Sequence, residues 1–262
     1  MKNINIFAIV NQKGGVGKTT TTINLGTAMA AIGKKVLLVD LDPQGNLSTG
    51  LGCGLDKRTP STYDLVLSDE VNIEDTIRES VIPSLSLVPS EIDLSGIEIE
   101  LANDITRNVK LSKKMTKLKN KYDYIFIDCP PSLGILTLNA LVASGSVLVP
   151  LQCEFFALEG LAQLIKTIEI VKTNLNPSLL IEGVILTMFD KRNNLSVDVA
   201  NDAKKHLGNR VFKTIIPRNI RLSEAPSHGL PAIVYDQNCR GSQSYIKLAK
   251  ELLTRLNDRN RR

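Results

Sequence analysis

The chain has 262 residues, 43% of them hydrophobic and 23% charged, with no tryptophan; this size and balance allow one sizeable α/β core. Aromatic residues make up only 4%, which argues against a base-stacking platform for single-stranded nucleic acid, and no apolar run approaches the roughly 18 residues of a membrane span or forms a secretory leader. The formal net charge of +5 is unevenly placed: residues 1–130 hold 15 Lys/Arg against 16 Asp/Glu and residues 131–262 hold 17 against 11, so the second half offers a basic face to polyanions.

In chain order, residues 4–10 are a short Ile/Val-rich run that suits a buried parallel strand. A glycine-rich turn follows, then a helix over residues 18–32 that Gly33 is placed to end. Residues 36–40 are the next strand and 85–88 a weaker one. The six lysines between Lys110 and Lys121, with Arg107 just before them, read as the solvated face of a helix. Residues 124–128 and 146–150 are strong strand candidates, and residues 180–188 and 211–216 two more. Residues 158–172 carry apolar side chains at helical spacing, and residues 242–256 form a closing helix. Residues 259–262 read as a frayed tail. Strands alternating with helices predict a single α/β domain: a mostly parallel twisted sheet with helices on both faces. The four cysteines, Cys53, Cys129, Cys153 and Cys239, form no Cys-x-x-Cys pair; they read as free thiols of a cytoplasmic protein.

Three motifs carry chemistry. Between the first strand and the first helix lies Lys13-Gly14-Gly15-Val16-Gly17-Lys18-Thr19, with Thr20 next. Glycines let backbone N–H groups curl around phosphate oxygens at the positive end of a helix. Lys18 is expected on the β- and γ-phosphates and Thr19 on Mg²⁺. At the end of the second strand, Asp40-Leu41-Asp42-Pro43-Gln44-Gly45 puts carboxylates at the phosphate crevice. Asp42 is expected to position the attacking water and to share the metal, and Asp40 to support the loop or the metal shell. The run Tyr124-Ile125-Phe126-Ile127-Asp128 has a Walker B layout, with Asp128 expected to hold Mg²⁺ through water. Pro130, Pro131 and Gly134 frame a loop that could sense the γ-phosphate. ATP is the expected nucleotide rather than GTP, on the reading that the guanine-recognising Asn-Lys-x-Asp tetrapeptide is absent.

Gln12 stands where the general phosphate-loop pattern has glycine, and a second lysine, Lys13, adjoins it. In this the loop resembles the ParA/MinD family of ATPases. The run Arg218-Asn219-Ile220-Arg221-Leu222-Ser223-Glu224-Ala225-Pro226-Ser227-His228-Gly229 looks like the signature of chromosomal ParA (Soj) proteins. The resemblance spans nearly the whole chain. It implies a P-loop ATPase that closes as an ATP-bound homodimer, in which Lys13 reaches the partner's nucleotide. Pro217, Arg218 and Asn219 are implied beside the adenine. The dimer is implied to bind double-stranded DNA without sequence preference at the nucleoid, until a ParB-like activator stimulates hydrolysis and releases it. The DNA contacts carried over by resemblance are Arg192 and Arg221, and Lys204 and Lys205 could widen that patch. With a first strand from about residue 4, no N-terminal helix-turn-helix is expected. The C-terminal tail lacks an apolar tip, so no stable membrane association of the MinD type is expected.

Overall fold

The computed structural model describes residues 5–118 and 120–260, the last by its backbone alone. Its first half runs β1 (Asn5–Ile9), α1 (Lys18–Ala31), β2 (Val36–Asp40), α2 (Asn46–Gly50), α3 (Thr62–Leu67), α4 (Ile73–Thr76), β3 (Arg78–Glu79), β4 (Leu85–Val88), α5 (Ile97–Glu100) and α6 (Lys110–Met115). The second half runs β5 (Tyr124–Asp128), α7 (Ile135–Ala143), β6 (Ser146–Gln152), α8 (Ala157–Asn174), β7 (Leu180–Thr187), α9 (Asn194–Leu207), α10 (Ile220–Glu224), α11 (Ala232–Tyr235) and α12 (Arg240–Asn260).

The strands form one sheet in the order β3-β4-β2-β5-β1-β6-β7. All neighbours are parallel except the two-residue β3, which runs antiparallel to β4 at the edge. Strand periodicity divides the core between the two faces. Phe7, Ile9, Val36, Leu38 and Phe126 pack with α1 and α12 on one side. Ala8, Val10, Leu37, Val39, Ile125 and Ile127 pack with α7 and α8 on the other. Both faces being covered, the central strands are apolar without interruption and end abruptly in polar residues. The register sets Asp128 beside both Ile9 and Asp40. The polar ends of β1, β2 and β5 therefore lie level at one rim of the sheet, with β1 flanked by β5 on one side and β6 on the other. A crevice at the carboxyl ends of parallel strands is where this class of fold binds ligands.

Three expectations need correction. Residues 211–216 do not form a strand; the Phe212 and Ile216 amides donate to the Val184 and Leu186 carbonyls of β7, but the pairing is limited to isolated bridges, Val184 to Val211 and, just past both segments, Phe189 to Pro217. The physical reason is a competing acceptor: the amides of Lys213 and Thr214 both donate to the Glu251 carboxylate of α12, at 2.8 Å each, which breaks the ladder. The lysine run is not wholly a solvated face. Lys110 and Lys114, one helical turn apart, are both buried. Lys110 pairs with Asp104 at 2.9 Å, and Lys114 donates to the carbonyls of Ser68, Asp69 and Val71. Lys113, Lys117 and Lys121 are exposed as expected, while Lys119 lies outside the described residues. Arg259 is not in a frayed tail either: α12 continues through it, and its guanidinium reaches Glu182 at 2.8 Å. Ile4, Arg261 and Arg262 lie outside the described residues.

Candidate nucleotide site

The loop from Asn11 to Thr19 wraps the N-terminus of α1. Gly17 is the N-cap, with φ at +89°, a left-handed conformation that residues with a Cβ adopt only under strain. No side chain caps this end, so its first amides remain available to an anion. Two bonds pin the loop from outside: Asn11 Nδ2 donates to the Pro150 carbonyl at 2.7 Å, and Thr187 Oγ1 to the Val16 carbonyl at 2.8 Å. Lys18 folds back so that its ammonium donates to the Lys13 carbonyl at 3.0 Å. Its side chain is buried, and burial lowers its pKa below that of an ordinary lysine. Asp128, Cys129 and Asp42 oppose that shift by favouring the charged form.

Asp128, at the end of β5, is fully buried. Thr19 Oγ1 donates to it at 2.7 Å and Thr22 Oγ1 at 3.2 Å. Burial above all, and then the nearby Asp40 carboxylate, raise its pKa to about 8, against the Thr19 bond. Asp40, also fully buried, binds the Ser48 amide and hydroxyl at 2.9 and 2.7 Å, and the Asp42 amide at 3.2 Å. Burial lifts its pKa to about 6 despite those bonds. Its oxygens are thus engaged in holding the loop after β2. Asp42 sits one step outward, and its carboxylate accepts from the Gln44 amide at 3.0 Å.

Gly14, Lys18, Thr19, Thr20, Asp42 and Asn46 are among the residues lining a cavity of about 570 Å³. The pieces fit an anion that brings its own metal. Lys18 lines this cavity with only one of its three donors used among the described residues. No group of three or more His, Cys, Asp or Glu among the described residues forms a metal cage. A hard cation would therefore need the anion's oxygens besides Thr19 and the carboxylates, which is how Mg²⁺ is held with phosphates.

A second cavity of about 280 Å³ shares Gly17, Thr20 and Met188 with the first and is lined by Pro217, Arg218 and Asn219. The Phe189–Pro217 bridge brings that segment to the end of β7. Tyr245 of α12 also lines it, with its hydroxyl 3.1 Å from that of Thr21. Met188 adopts a positive φ of 50° at the mouth. The sequence reading did not single out Tyr245, which looks there like one more apolar position of a helix.

Lys13 is placed differently from the rest of its motif. Its ammonium pairs with Glu154, which follows β6, and half of its side chain is exposed. It lines a neighbouring pocket with Gln12, Phe156 and Gly160, not the cavity of its own phosphate loop. Phe155 and Phe156, edge to face at 4.9 Å, are exposed beside it. The basic residues divide into two groups. Arg192 is held by Asp190 at 2.8 Å, and Arg221 by Glu224 at 2.8 Å and Asp236 at 3.5 Å; their loops meet at the Phe189–Pro217 bridge. Lys204 and Lys205 lie exposed in the last turn of α9, roughly 15 Å along that helix from its start near Arg192 at 1.5 Å per residue.

Asn120-Lys121-Tyr122-Asp123 does match the guanine-reading Asn-Lys-x-Asp spacing, contrary to the sequence reading. Its position disqualifies it. It precedes β5, at the end opposite Asp128, where Asp123 accepts from the Lys35 amide and Lys121 pairs with Glu74. Geometry rather than absence removes that signal.

The sequence profile described as an AAA domain matches residues 4–181. The chain is 54% identical over 258 residues to the chromosome partitioning protein ParA of Caulobacter vibrioides, covering 98% of this chain and 96% of that one. It is 53% identical over 247 residues to the sporulation initiation inhibitor protein Soj of Bacillus subtilis, covering 94% and 97%. Among solved structures it is similar to cobyrinic acid a,c-diamide synthase from Mycobacterium smegmatis with bound ATP analogue and magnesium. That likeness has a TM-score of 0.86 at 37% identity and covers 96% of this chain and 94% of that one. Among the described residues no helix is long and apolar enough to cross a membrane.

Proposed function

The chain belongs to the ParA/Soj family of P-loop ATPases, and on that premise we propose that it is a DNA-partitioning switch: two subunits close over ATP and Mg²⁺, bind duplex DNA without sequence preference, and let go when a ParB-like activator triggers hydrolysis. The observation that carries this reading is the placement of Lys13. A lysine inside a phosphate loop that stays out of its own phosphate cavity is free to serve a second subunit's nucleotide.

In this reading the amides of residues 14–19 and the Lys18 ammonium take the phosphates. Thr19, with Asp42 and Asp128 behind it, holds Mg²⁺, which when bound spreads the charge of the β- and γ-phosphates. Asp42 orients the attacking water. Pro217, Arg218 and Asn219 flank the adenine in the adjoining cavity. Lys13, once it leaves Glu154, offsets charge on the transferred phosphoryl group across the dimer. Closing two subunits also joins two sets of Arg192, Arg221, Lys204 and Lys205 into one basic surface, placing the protein on the nucleoid in its ATP state.

The test is filter binding or anisotropy of a mixed-sequence duplex with ATP, with ADP and without nucleotide. Binding is expected only with ATP, and to weaken steeply with salt, by roughly 0.9 log units per decade for each phosphate neutralised. Arg192→Ala and Arg221→Ala should each lower affinity for every duplex alike. Equal binding in all three nucleotide states would contradict the proposal. The likeness to a diamide synthase supports a second reading, ATP-dependent amide formation; turnover that depends on both a carboxylic acid and a nitrogen donor would favour it.

A further inference from the structure

Behind the Asp42 loop lies a buried cation that neither the phosphate site nor the basic surface uses. Arg58 is 5% exposed, and among the described residues no carboxylate pairs with it. Its guanidinium spends its donors on neutral acceptors. Nε and Nη2 reach the Cys53 carbonyl at 3.2 and 3.1 Å, Nη1 the Ser90 carbonyl at 3.2 Å, and Nη2 the Thr49 hydroxyl at 2.8 Å. A guanidinium without a counter-ion is costly to bury, and its five-donor planar fork suits it to tie three separate segments at once.

Those segments are the ones that set Asp42. Thr49 Oγ1 donates on to the Gly45 carbonyl at 3.1 Å, and the Gly45 amide donates to the Asp42 carbonyl at 2.9 Å. From the other end of β4, the Ser90 amide donates to Ser48 Oγ at 3.0 Å, and Ser48 Oγ to Asp40 at 2.7 Å. Asp40 in turn accepts from the Asp42 amide. The loop is thus held from two directions, and Arg58, from outside both segments, bonds to α2 and to the end of β4. Gly45 shows how close the clamp is: its φ is +61°, and a Cβ there would stand 2.2 Å from Arg58 Nη1.

We propose that Arg58 is a positioning residue for ATP hydrolysis: its buried guanidinium clamps Thr49 and the Ser90 carbonyl together and so fixes Gly45 and Asp42 against the phosphate cavity. The inference rests on the reading that Asp42 orients the attacking water. Arg58 itself lines neither cavity that would hold nucleotide and meets the larger one through its bond to Thr49, so its loss is expected to act on the geometry of hydrolysis more than on the grip on nucleotide.

The experiment measures affinity for a fluorescent ATP analogue, steady-state ATPase rate and thermal midpoint on the full chain with Mg²⁺, for Arg58→Met, Arg58→Lys, Thr49→Val and Asp42→Ala. Arg58→Met is expected to keep nucleotide affinity within about threefold while kcat falls about tenfold or more, as loss of orientation without loss of binding does. Arg58→Lys should recover part of the rate. Thr49→Val, which removes one hydroxyl of the relay from a residue that also lines the larger cavity, should show a smaller loss of kcat, read against its own nucleotide affinity, and stands in if Arg58→Met does not fold. A normal kcat in folded Arg58→Met or in Thr49→Val would overturn the proposal. So would affinity and rate falling together in step with a lowered midpoint, since that is a purely structural role. Asp42→Ala separates the two levels. If it retains full kcat, the reading of Asp42 is wrong and the proposal goes with it; if it abolishes hydrolysis while the Arg58 and Thr49 variants are normal, only the proposal fails.

Discussion

At the scale of single residues, the site combines groups whose charge states are set by burial. Asp128 has its pKa lifted to about 8, so between about pH 4 and pH 8 the folded chain keeps a proton that the unfolded chain has released. Stability from this group is greatest at low pH and declines as pH rises across that window. Without nucleotide or Mg²⁺, the thermal midpoint is expected to fall as pH rises from about 4 to about 8 and to level off above that. Asp128→Asn should flatten that slope and be more stable than the parent at pH 8, by on the order of 1 kcal/mol. An unchanged slope in Asp128→Asn would assign the effect to another group. Lys13 leads to a second expectation. Lys13→Ala should leave affinity of the subunit for ADP within about threefold, since the side chain lies outside its own cavity, yet reduce ATPase activity about 100-fold by removing the charge proposed to act across a dimer. Loss of ADP affinity would return Lys13 to its own nucleotide. The phosphate loop, Asp40, Asp42 and Asp128 were legible in the sequence, because glycine spacing and strand-end carboxylates are local signals. Arg58 was not, since its partners at Thr49, Cys53 and Ser90 become visible only once α2 and the end of β4 are adjacent.

At the scale of elements, helices and strands with one dominant period were readable. The amphipathic stretch expected at residues 158–172 is the heart of α8, and the closing helix is α12. Residues 211–216 misled because an Ile/Val-containing run says nothing of a glutamate on another helix that captures its amides. The lysine run misled for a similar reason. Charge alone argues for solvent, but Lys114 lies under the loop after α3 and serves three of its carbonyls. That loop has no other side chain among the described residues bonding those three carbonyls. Lys114→Ala is therefore expected to lower stability by about 1–3 kcal/mol, the cost of emptying a buried site and leaving partly buried carbonyls unpaired. Lys113→Ala, one position away and exposed, should stay within about 0.5 kcal/mol. Chemical denaturation of the two variants checks this, and equal effects would show that the buried contacts contribute nothing.

At the scale of the whole molecule, the basic half of the chain and the nucleotide site meet where the segments after β7 and before α10 touch. Both arginines proposed for DNA sit in ion pairs on the free subunit, Arg192 with Asp190 and Arg221 with Glu224 and Asp236. Exposed pairs of this kind are weak, so a phosphate can displace the carboxylates at small cost. Asp190→Ala should strengthen ATP-dependent duplex binding by up to about fivefold, since an exposed pair is worth up to about 1 kcal/mol. Weaker binding in Asp190→Ala would mean that the carboxylate orients Arg192 rather than masking it. The central claim is that closing over ATP joins two basic surfaces, and sedimentation velocity of Asp42→Ala with ATP, with and without a duplex, tests it most directly. The account predicts a dimer with ATP that co-sediments with DNA, a monomer with ADP, and loss of the DNA complex in Asp42→Ala/Arg221→Ala. A monomer at saturating ATP that ignores the duplex would contradict it.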